Sequence, residues 1–391
     1  MELLKRTWAE VSLDNLAFNY HQLRANVPET TRFLGVVKAD AYGHGAVPVA
    51  RELERLGADF FAASNVEEAM QLRDGGLTKP ILIFGYTPPQ YAPWMAAHGV
   101  RQEVNCLDYA RALSDAMGGS GQTLRVHLKL DTGMTRLGFF AYDRPETLPE
   151  LVQAASLPGL LAEGAFAHFA VADSKSPEDI AYTHQQFARF QALLAELAKA
   201  GVKPEICHHA NSAGAICYPE YALDMIRPGI ATYGLAPSDE LEGDMELRPL
   251  MALRTTIAQI RTVPSGVSIS YGRTYTTPAA RSIAVLTIGY ADGLPRRLSN
   301  RGEFLLHGRR VPVVGRICMD MCMVDVTDVP EAVVGDTVTI FGRDDDAFIP
   351  IEELARELDT ISYELLCGIN KRVPRVYLQN GKVVDTLQYI V

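Results

Sequence analysis

Phe33-Leu34-Gly35-Val36-Val37-Lys38 is a short apolar run that ends on a lysine. Seven more runs follow: Asp59–Ser64, Pro80–Gly85, Gln102–Asn105, Arg125–Asp131, Leu160–His168, Glu205–His209 and Met225–Arg227. Amphipathic stretches separate them. Short, continuous apolar runs suit strands buried on both faces, as in a parallel sheet covered by helices. Eight strand–helix repeats predict a (β/α)₈ barrel over residues 10–237; a doubly wound open sheet is the alternative topology.

The intervening stretches carry helix punctuation. Ser12 can cap a helix with Leu13, Leu16, Tyr20 and Leu23 on one face. Asn65 precedes Glu68 by three residues, and that stretch closes at Gly75-Gly76; Ser176-Pro177 opens a long stretch that closes at Gly201. Caps, first-turn proline and terminal glycines fall where helix ends want them. After Pro237 the texture changes to short β-branched segments: Thr255–Arg261, Ser282–Ile288, Glu303–Leu306, Val311–Val314, Met323–Val326 and Thr337–Phe341. Turn residues such as Pro264-Ser265-Gly266 separate them, so residues 238–391, together with residues 1–9, read as a mainly β domain. One helix is expected inside it, from Pro350 through Leu366, with Ile351, Leu354, Leu358 and Ile361 at helical spacing.

A chain of 391 residues is too long for one compact core, which fits two domains. A net charge of -10 argues against nucleic-acid or anionic-membrane partners. The opening Met-Glu-Leu-Leu-Lys-Arg-Thr-Trp has no apolar run of the secretory kind, and no stretch reaches the about 20 apolar residues of a membrane span. A soluble cytoplasmic protein is expected. Cysteines 106, 207, 217, 318, 322 and 367 form no CxxC pair, so no zinc or other metal site is expected. His208-His209 are adjacent on a strand and point to opposite faces, which disfavours a shared metal.

In such a barrel, functional side chains sit at the C-terminal strand ends. Lys38, Lys129 with Asp131, His168, Asn211-Ser212 and Arg227 all fall there. A lysine buried at a strand end has a lowered pKa, as Schiff-base chemistry requires; a lysine that snorkels outward is the plain alternative. Tyr42 beside Gly43-His44-Gly45, and Gly229 in Arg227-Pro228-Gly229-Ile230, suit a phosphate; an ordinary turn and a structural ion pair are the competing readings. The β region adds Ser270-Tyr271-Gly272-Arg273-Thr274-Tyr275, Ile288-Gly289-Tyr290-Ala291-Asp292-Gly293 and Gly315-Arg316-Ile317-Cys318-Met319-Asp320, whose tyrosines are equally readable as turn residues.

Together these motifs resemble the alanine racemases, barrel-fold enzymes that use pyridoxal 5'-phosphate. The likeness runs from about residue 5 to 378. It rests on Val-Val-Lys-Ala-Asp-Ala-Tyr-Gly-His-Gly, Leu-Lys-Leu-Asp-Thr-Gly-Met-Thr-Arg-Leu-Gly, Ala-His-Phe-Ala, His-Ala-Asn-Ser-Ala and Arg-Pro-Gly-Ile. It continues through Ser-Tyr-Gly-Arg-Thr-Tyr, Gly-Tyr-Ala-Asp-Gly, Gly-Arg-Ile-Cys-Met-Asp, Ile-Ser-Tyr-Glu and Arg-Val-Pro-Arg-Val-Tyr, in the family's order.

The resemblance implies roles. Lys38 would hold the cofactor as a Schiff base and serve as base for one alanine enantiomer; Tyr271 of the partner subunit would serve the other. Tyr42, Ser212, Gly229, Ile230 and Tyr363 would hold the phosphate, with Asn211 beside them. Arg227 would face the pyridine nitrogen, and His168 would bridge it to the partner's Tyr271. Arg136 would touch the cofactor's phenolic oxygen and the substrate side, and Met319 of the partner subunit would help receive the substrate carboxylate through its backbone. Tyr290 and Asp320 would line the entrance from the partner side. The residue matching Lys129 is carbamylated in some members. A homodimer with shared sites, acting on L- and D-alanine for peptidoglycan supply or alanine catabolism, is the implied assembly and role. A broader serine-accepting racemase and a non-catalytic cofactor carrier are the alternatives, although carriers of that kind lack the β domain.

Overall fold

The structure, a computed structural model, describes residues 5–390; residues 1–4 of the opening stretch read above, and Val391, lie outside the described residues. The chain divides into two compact units. One comprises Leu16–Ala41 and Ala46–Arg248; the other holds the described residues up to Asn15, the short segment Tyr42–Gly45, and everything described from Pro249 onward.

Strand β1 (Thr7–Ser12) comes first in the chain. The eight apolar runs then appear as eight parallel strands: β2 (Arg32–Val36), β3 (Phe60–Ala63), β4 (Ile81–Ile83), β5 (Val100–Val104), β6 (Leu124–Lys129), β7 (Leu160–Phe166), β8 (Ile206–His208) and β9 (Met225–Ile226). Their order is β8-β7-β6-β5-β4-β3-β2-β9. Neighbours follow chain order with no reversal point, and β9 returns to β2. That excludes the doubly wound sheet, whose strand order reverses. Backbone hydrogen bonds from Asp224 N to Cys207 O (3.1 Å) and from Arg227 N to Ala210 O (3.0 Å) draw the β9 segment to the β8 segment and close the barrel. Leu34, Phe61, Leu82, Val126, Leu128 and Ala165 are fully buried on these strands. Burying one large aliphatic or aromatic side chain stabilises by about 1.5–3 kcal/mol.

The helix ends obey the caps. Asn15 N donates to Ser12 Oγ at the start of Leu13–Ala25, and Leu16, Tyr20 and Leu23 are buried. Glu68 N donates to Asn65 Oδ1 at the start of Val66–Asp74, and Asp179 N to Ser176 Oγ at the start of Pro177–Lys199.

Several strands are shorter than their apolar runs: β2 stops at Val36, β7 at Phe166 and β9 at Ile226. Lys38, His168 and Arg227 therefore lie just past strand ends. After β2 the cause is visible. Ala39, Asp40, Ala41 and Tyr42 hold φ of 52°, 55°, 53° and 52°, a left-handed turn that L-residues disfavour by about 1–2 kcal/mol each. Ala41 N bonds Val37 O, Ala39 N bonds Glu68 Oε1, and Ala46 N bonds Asp40 Oδ1, which together hold the turn.

The second unit is built on strands β10 (Met251–Val263), β11 (Ser268–Ile269), β12 (Tyr275–Thr276), β13 (Arg281–Leu286), β14 (Glu303–Leu306), β15 (Arg309–Pro312), β16 (Cys322–Asp325), β17 (Thr337–Asp344), β18 (Ala347–Ile349), β19 (Arg375–Gln379) and β20 (Lys382–Leu387). The main sheet runs β15-β14-β17-β10-β1-β19-β20, with β13 also on β10, β16 on β13 and β18 on β17. β1 pairs antiparallel with β10 and parallel with β19. The single helix expected over Pro350–Leu366 is instead two, Ile351–Leu358 and Ser362–Gly368. Asp359 adopts a left-handed cap (φ 56°) that ends the first, and Ile361 is 60 % exposed rather than on the apolar face. No helix among the described residues is long and apolar enough to cross a membrane.

Candidate active site

Most of the residues singled out in the barrel meet at its C-terminal end, and Arg227 is their hub. It is buried at the end of β9. Its Nη1 donates to His208 Nδ1 at 2.8 Å; its Nη2 donates to Ala167 O (2.8 Å) and His209 O (3.0 Å) and contacts His168 Nδ1 at 3.3 Å. A guanidinium only donates, so both imidazole Nδ1 atoms must accept. The face of Phe166 lies 5.4 Å from its Cζ. Burial, then the charge of Arg136, pushes its pKa down, yet a guanidinium remains charged at neutral pH.

Lys129, on β6, is buried beside Leu130 O (3.4 Å) and over the Phe166 ring. Burial lowers its pKa and Glu103 opposes that; burial raises Glu103. The pair shares a site that also feels Arg136 and Arg227. His168 is held neutral by burial and then by Arg227, and its Nε2 lies 3.5 Å from Asn211 Nδ2. Asn211 caps the next turn by accepting Gly214 N. Ser212 is buried, and its Oγ accepts N–H from Gly229 (2.8 Å) and Ala231 (3.3 Å). Two backbone donors leave its own hydroxyl hydrogen to donate outward. Arg136 is exposed on the loop after β6.

The other unit carries the rest. Tyr42 and Tyr363 face each other with ring centroids 5.9 Å apart. Burial, then Cys367, pushes the Tyr42 phenol up, so it stays a donor. A Cβ at Gly43 would meet Leu366 O at 2.2 Å, and at φ 80° only glycine is at ease there. Tyr271 is 72 % exposed, on a turn where Ser270, Gly272 and Arg273 all take positive φ. Tyr290 and Met319 are exposed on adjoining loops, stitched by Tyr290 N to Cys318 O and Ala291 N to Met319 O. Arg372 joins Asp320 (2.8 Å) to the buried Asp292, which Arg6 also engages.

Sequence reading missed the polar interior of the barrel: His127 on β6, Glu103 on β5 and Glu163 on β7. The available signal was an ionisable residue inside an apolar run rather than at its end. The two adjacent histidines do part ways. His208 meets Arg227, whereas His209 packs 3.8 Å from the Phe169 ring and near Phe190.

This fold, with its buried arginine and Ser212 cradle at the barrel's C-terminal end, has clear relatives. The family model for the alanine racemase N-terminal domain matches residues 11–237, and that for the C-terminal domain matches 250–377. An alanine racemase of Desulfovibrio desulfuricans is 46% identical over 95% of this chain and 98% of its own length. The solved alanine racemase of Clostridium difficile 630 superposes with TM-score 0.94 at 39% identity, covering 100% of both chains. A histidine racemase of Leuconostoc mesenteroides shares the fold at TM-score 0.86 and 28% identity, over 97% of this chain and 99% of its own. The protein is an amino-acid racemase of the barrel-plus-β-domain type. Within that class, it belongs to the alanine racemase family.

Proposed function

We propose that this protein interconverts L- and D-alanine with pyridoxal phosphate, using Lys38 and Tyr271 of the partner subunit as opposed bases. The observation that carries the reading is the donor set at the barrel's C-terminal end. Lys38 lies just past β2, Ser212 gathers the N–H groups of Gly229 and Ala231, and Arg227 is buried and donates only. An amine, phosphate donors and a cationic partner are what this cofactor needs, so the residues fit it. Bound there, pyridoxal phosphate supplies the electron sink that acidifies the substrate's α-carbon.

The residues divide the work. Racemisation removes a proton from one face and returns one to the other, so one base per face suffices. Lys38 serves one face and Tyr271 of the partner subunit the other. Arg227 would face the ring nitrogen and donate to it, since a guanidinium keeps its proton. That weakens the sink and disfavours transamination. His168 links Arg227 to the partner-side tyrosine, and a cationic neighbourhood favours phenolate. Arg136 and Met319 of the partner subunit receive the substrate, Tyr290 and Asp320 line the entrance from the partner side, and Tyr42, Tyr363, Ser212, Asn211, Gly229 and Ile230 hold the phosphate. Tyr363, braced by Tyr42, limits the side chain to a methyl group. The lowered pKa of Lys129 supports carbamylation, which needs an uncharged amine.

Exposed Tyr271 borders a cavity lined by Val263, Val267, Ile283, Val285 and Met323, which supports a homodimer. A cytoplasmic enzyme supplying D-alanine for peptidoglycan, or consuming alanine, completes the reading. The test is chiral chromatography of alanine, serine and histidine after incubation with the pure protein, with borohydride trapping and peptide mapping. Racemised alanine and a label on Lys38 are expected. Faster turnover of serine or histidine would move the specificity to the broader reading, and a label elsewhere would refute the assignment of Lys38.

A further inference from the structure

A line of buried polar side chains runs on from Arg227 through the barrel interior. His208 Nδ1 accepts from Arg227, so the neutral ring carries its proton on Nε2. That nitrogen lies 2.8 Å from His127 Nδ1, which must then accept. The His127 proton is left on Nε2, which approaches Glu163 Oε2 at 3.4 Å, a long charge contact rather than a tight hydrogen bond. Glu163 only accepts, and Arg101 (2.8 and 3.1 Å) and Arg125 (2.6 Å) clamp its carboxylate. Every donor therefore points from arginine toward glutamate.

The barrel is shaped around this line. The β6–β7 register slips between Val126 and His127, pairing Val126 with Ala162 and His127 with Gly164, so Glu163 is the extra residue of a bulge. Gly164 leaves room for the imidazole: a Cβ there would stand 2.4 Å from His127 Nδ1. Phe166 stacks on His208 with centroids 4.8 Å apart. Burial disfavours the charged form of both histidines. Arg227 adds to it at both rings, Arg101 at His127, and Lys129 and His209 at His208, while Glu163 opposes it at His127. Burial raises the Glu163 carboxyl, but the contact with His127 and the hydrogen bonds from Arg101 and Arg125 outweigh it and hold it well below the usual carboxylate range.

We infer that Glu163 is a positioning residue for Arg227, acting through His127 and His208 to keep an unprotonated nitrogen facing the guanidinium. The inference rests on the reading that Arg227 faces the cofactor nitrogen. Glu163→Gln is the sharp perturbation. Arg101 and Arg125 would claim the amide oxygen and turn the NH₂ toward His127. Both imidazoles would then have to exchange tautomers, and His208 Nδ1–H would oppose the Arg227 donor.

The experiment is ¹⁵N NMR of histidine-labelled, cofactor-free protein, followed by the visible absorption of the cofactor-loaded form. In wild type both rings are expected neutral, with the proton on Nε2. Glu163→Gln is expected to exchange the ring signals and shift the absorption band, and Glu163→Asp, which keeps the acceptor, to restore both. A charged ring or an Nδ1 proton in wild type overturns the inference without any variant. So does an absorption band unmoved by Glu163→Gln. Failure of wild type to take up cofactor on Lys38 would instead sink the functional reading, and the tautomer measurement is independent of it.

Discussion

Replacing Gly164 by alanine should measure how tightly the barrel interior is built. The added Cβ would stand 2.4, 2.5 and 2.8 Å from Nδ1, Cε1 and Cγ of His127. Ordinary contact needs about 3.5 Å, so the ring must retreat by about 1 Å. It has no exposed surface to retreat through, and its bond to His208 is 2.8 Å long. A shift of that size carries the bond beyond hydrogen-bonding range. Overpacking costs about 1–3 kcal/mol and an orphaned buried polar group about 1–3 kcal/mol more, giving a loss of about 2–6 kcal/mol. The two tryptophans allow a local readout: Trp8 and Trp94 fall one in each compact unit. In a Trp8→Phe background, urea unfolding followed by Trp94 fluorescence should show a lower midpoint with unchanged slope. Gly368→Ala is the control, since nothing lies within 4 Å of its Cβ and its φ is unstrained. A Gly164→Ala unfolding free energy within about 0.5 kcal/mol of wild type would refute the reasoning.

Four histidines of the barrel, 127, 168, 208 and 209, have pKa values lowered by desolvation and by neighbouring cations. The unfolded chain protonates near 6.5 while the folded one does not, so stability should hold above that pH and fall below it by about 1.4 kcal/mol per pH unit for each histidine; a melting temperature flat from about pH 7.5 to 5 would contradict this. Ser212→Ala removes the acceptor shared by Gly229 and Ala231, and should weaken pyridoxal phosphate binding about 5- to 100-fold in a fluorescence titration, with unaltered affinity counting against the cradle. Tyr271→Phe should keep the cofactor bound yet lose α-deuterium exchange from one alanine enantiomer selectively; equal loss from both would reject the two-base assignment. Asp359→Val forces a β-branched residue into a left-handed cap and should cost about 1–2 kcal/mol by calorimetry, whereas Asp359→Gly should cost nothing.

All eight barrel strands were readable because burial on both faces writes each one as a continuous apolar run. Their ends were less so. Lys38, His168 and Arg227 extend the apolar texture past the last ladder bond, and the left-handed turn after Val36 leaves little mark in Ala39-Asp40-Ala41. The break within Pro350–Leu366 is hidden from the sequence for a similar reason. Apolar spacing continues through Ile361, while one backbone angle at Asp359 breaks the helix. β1 and β19 escaped notice as neighbours because their pairing joins residues over 360 positions apart. The candidate site was legible where it coincides with family motifs. His127 and Glu163 were hidden, since one imidazole or carboxylate inside an apolar run looks the same whether or not it meets a partner 36 residues away across a bulge.

The placement of β1 between β10 and β19 also sets a timetable for synthesis. Ser12 ends β1, but its antiparallel neighbour begins only at Met251 and its parallel neighbour at Arg375. At about 5–20 residues per second on the ribosome, β1 waits roughly 12–48 s for its first partner and longer for its second. The barrel strands, each awaiting a neighbour a few dozen residues on, assemble meanwhile. For that interval Thr7–Ser12, carrying Trp8, Ala9 and Val11, has no sheet to join, and it is where a nascent-chain chaperone has most to protect.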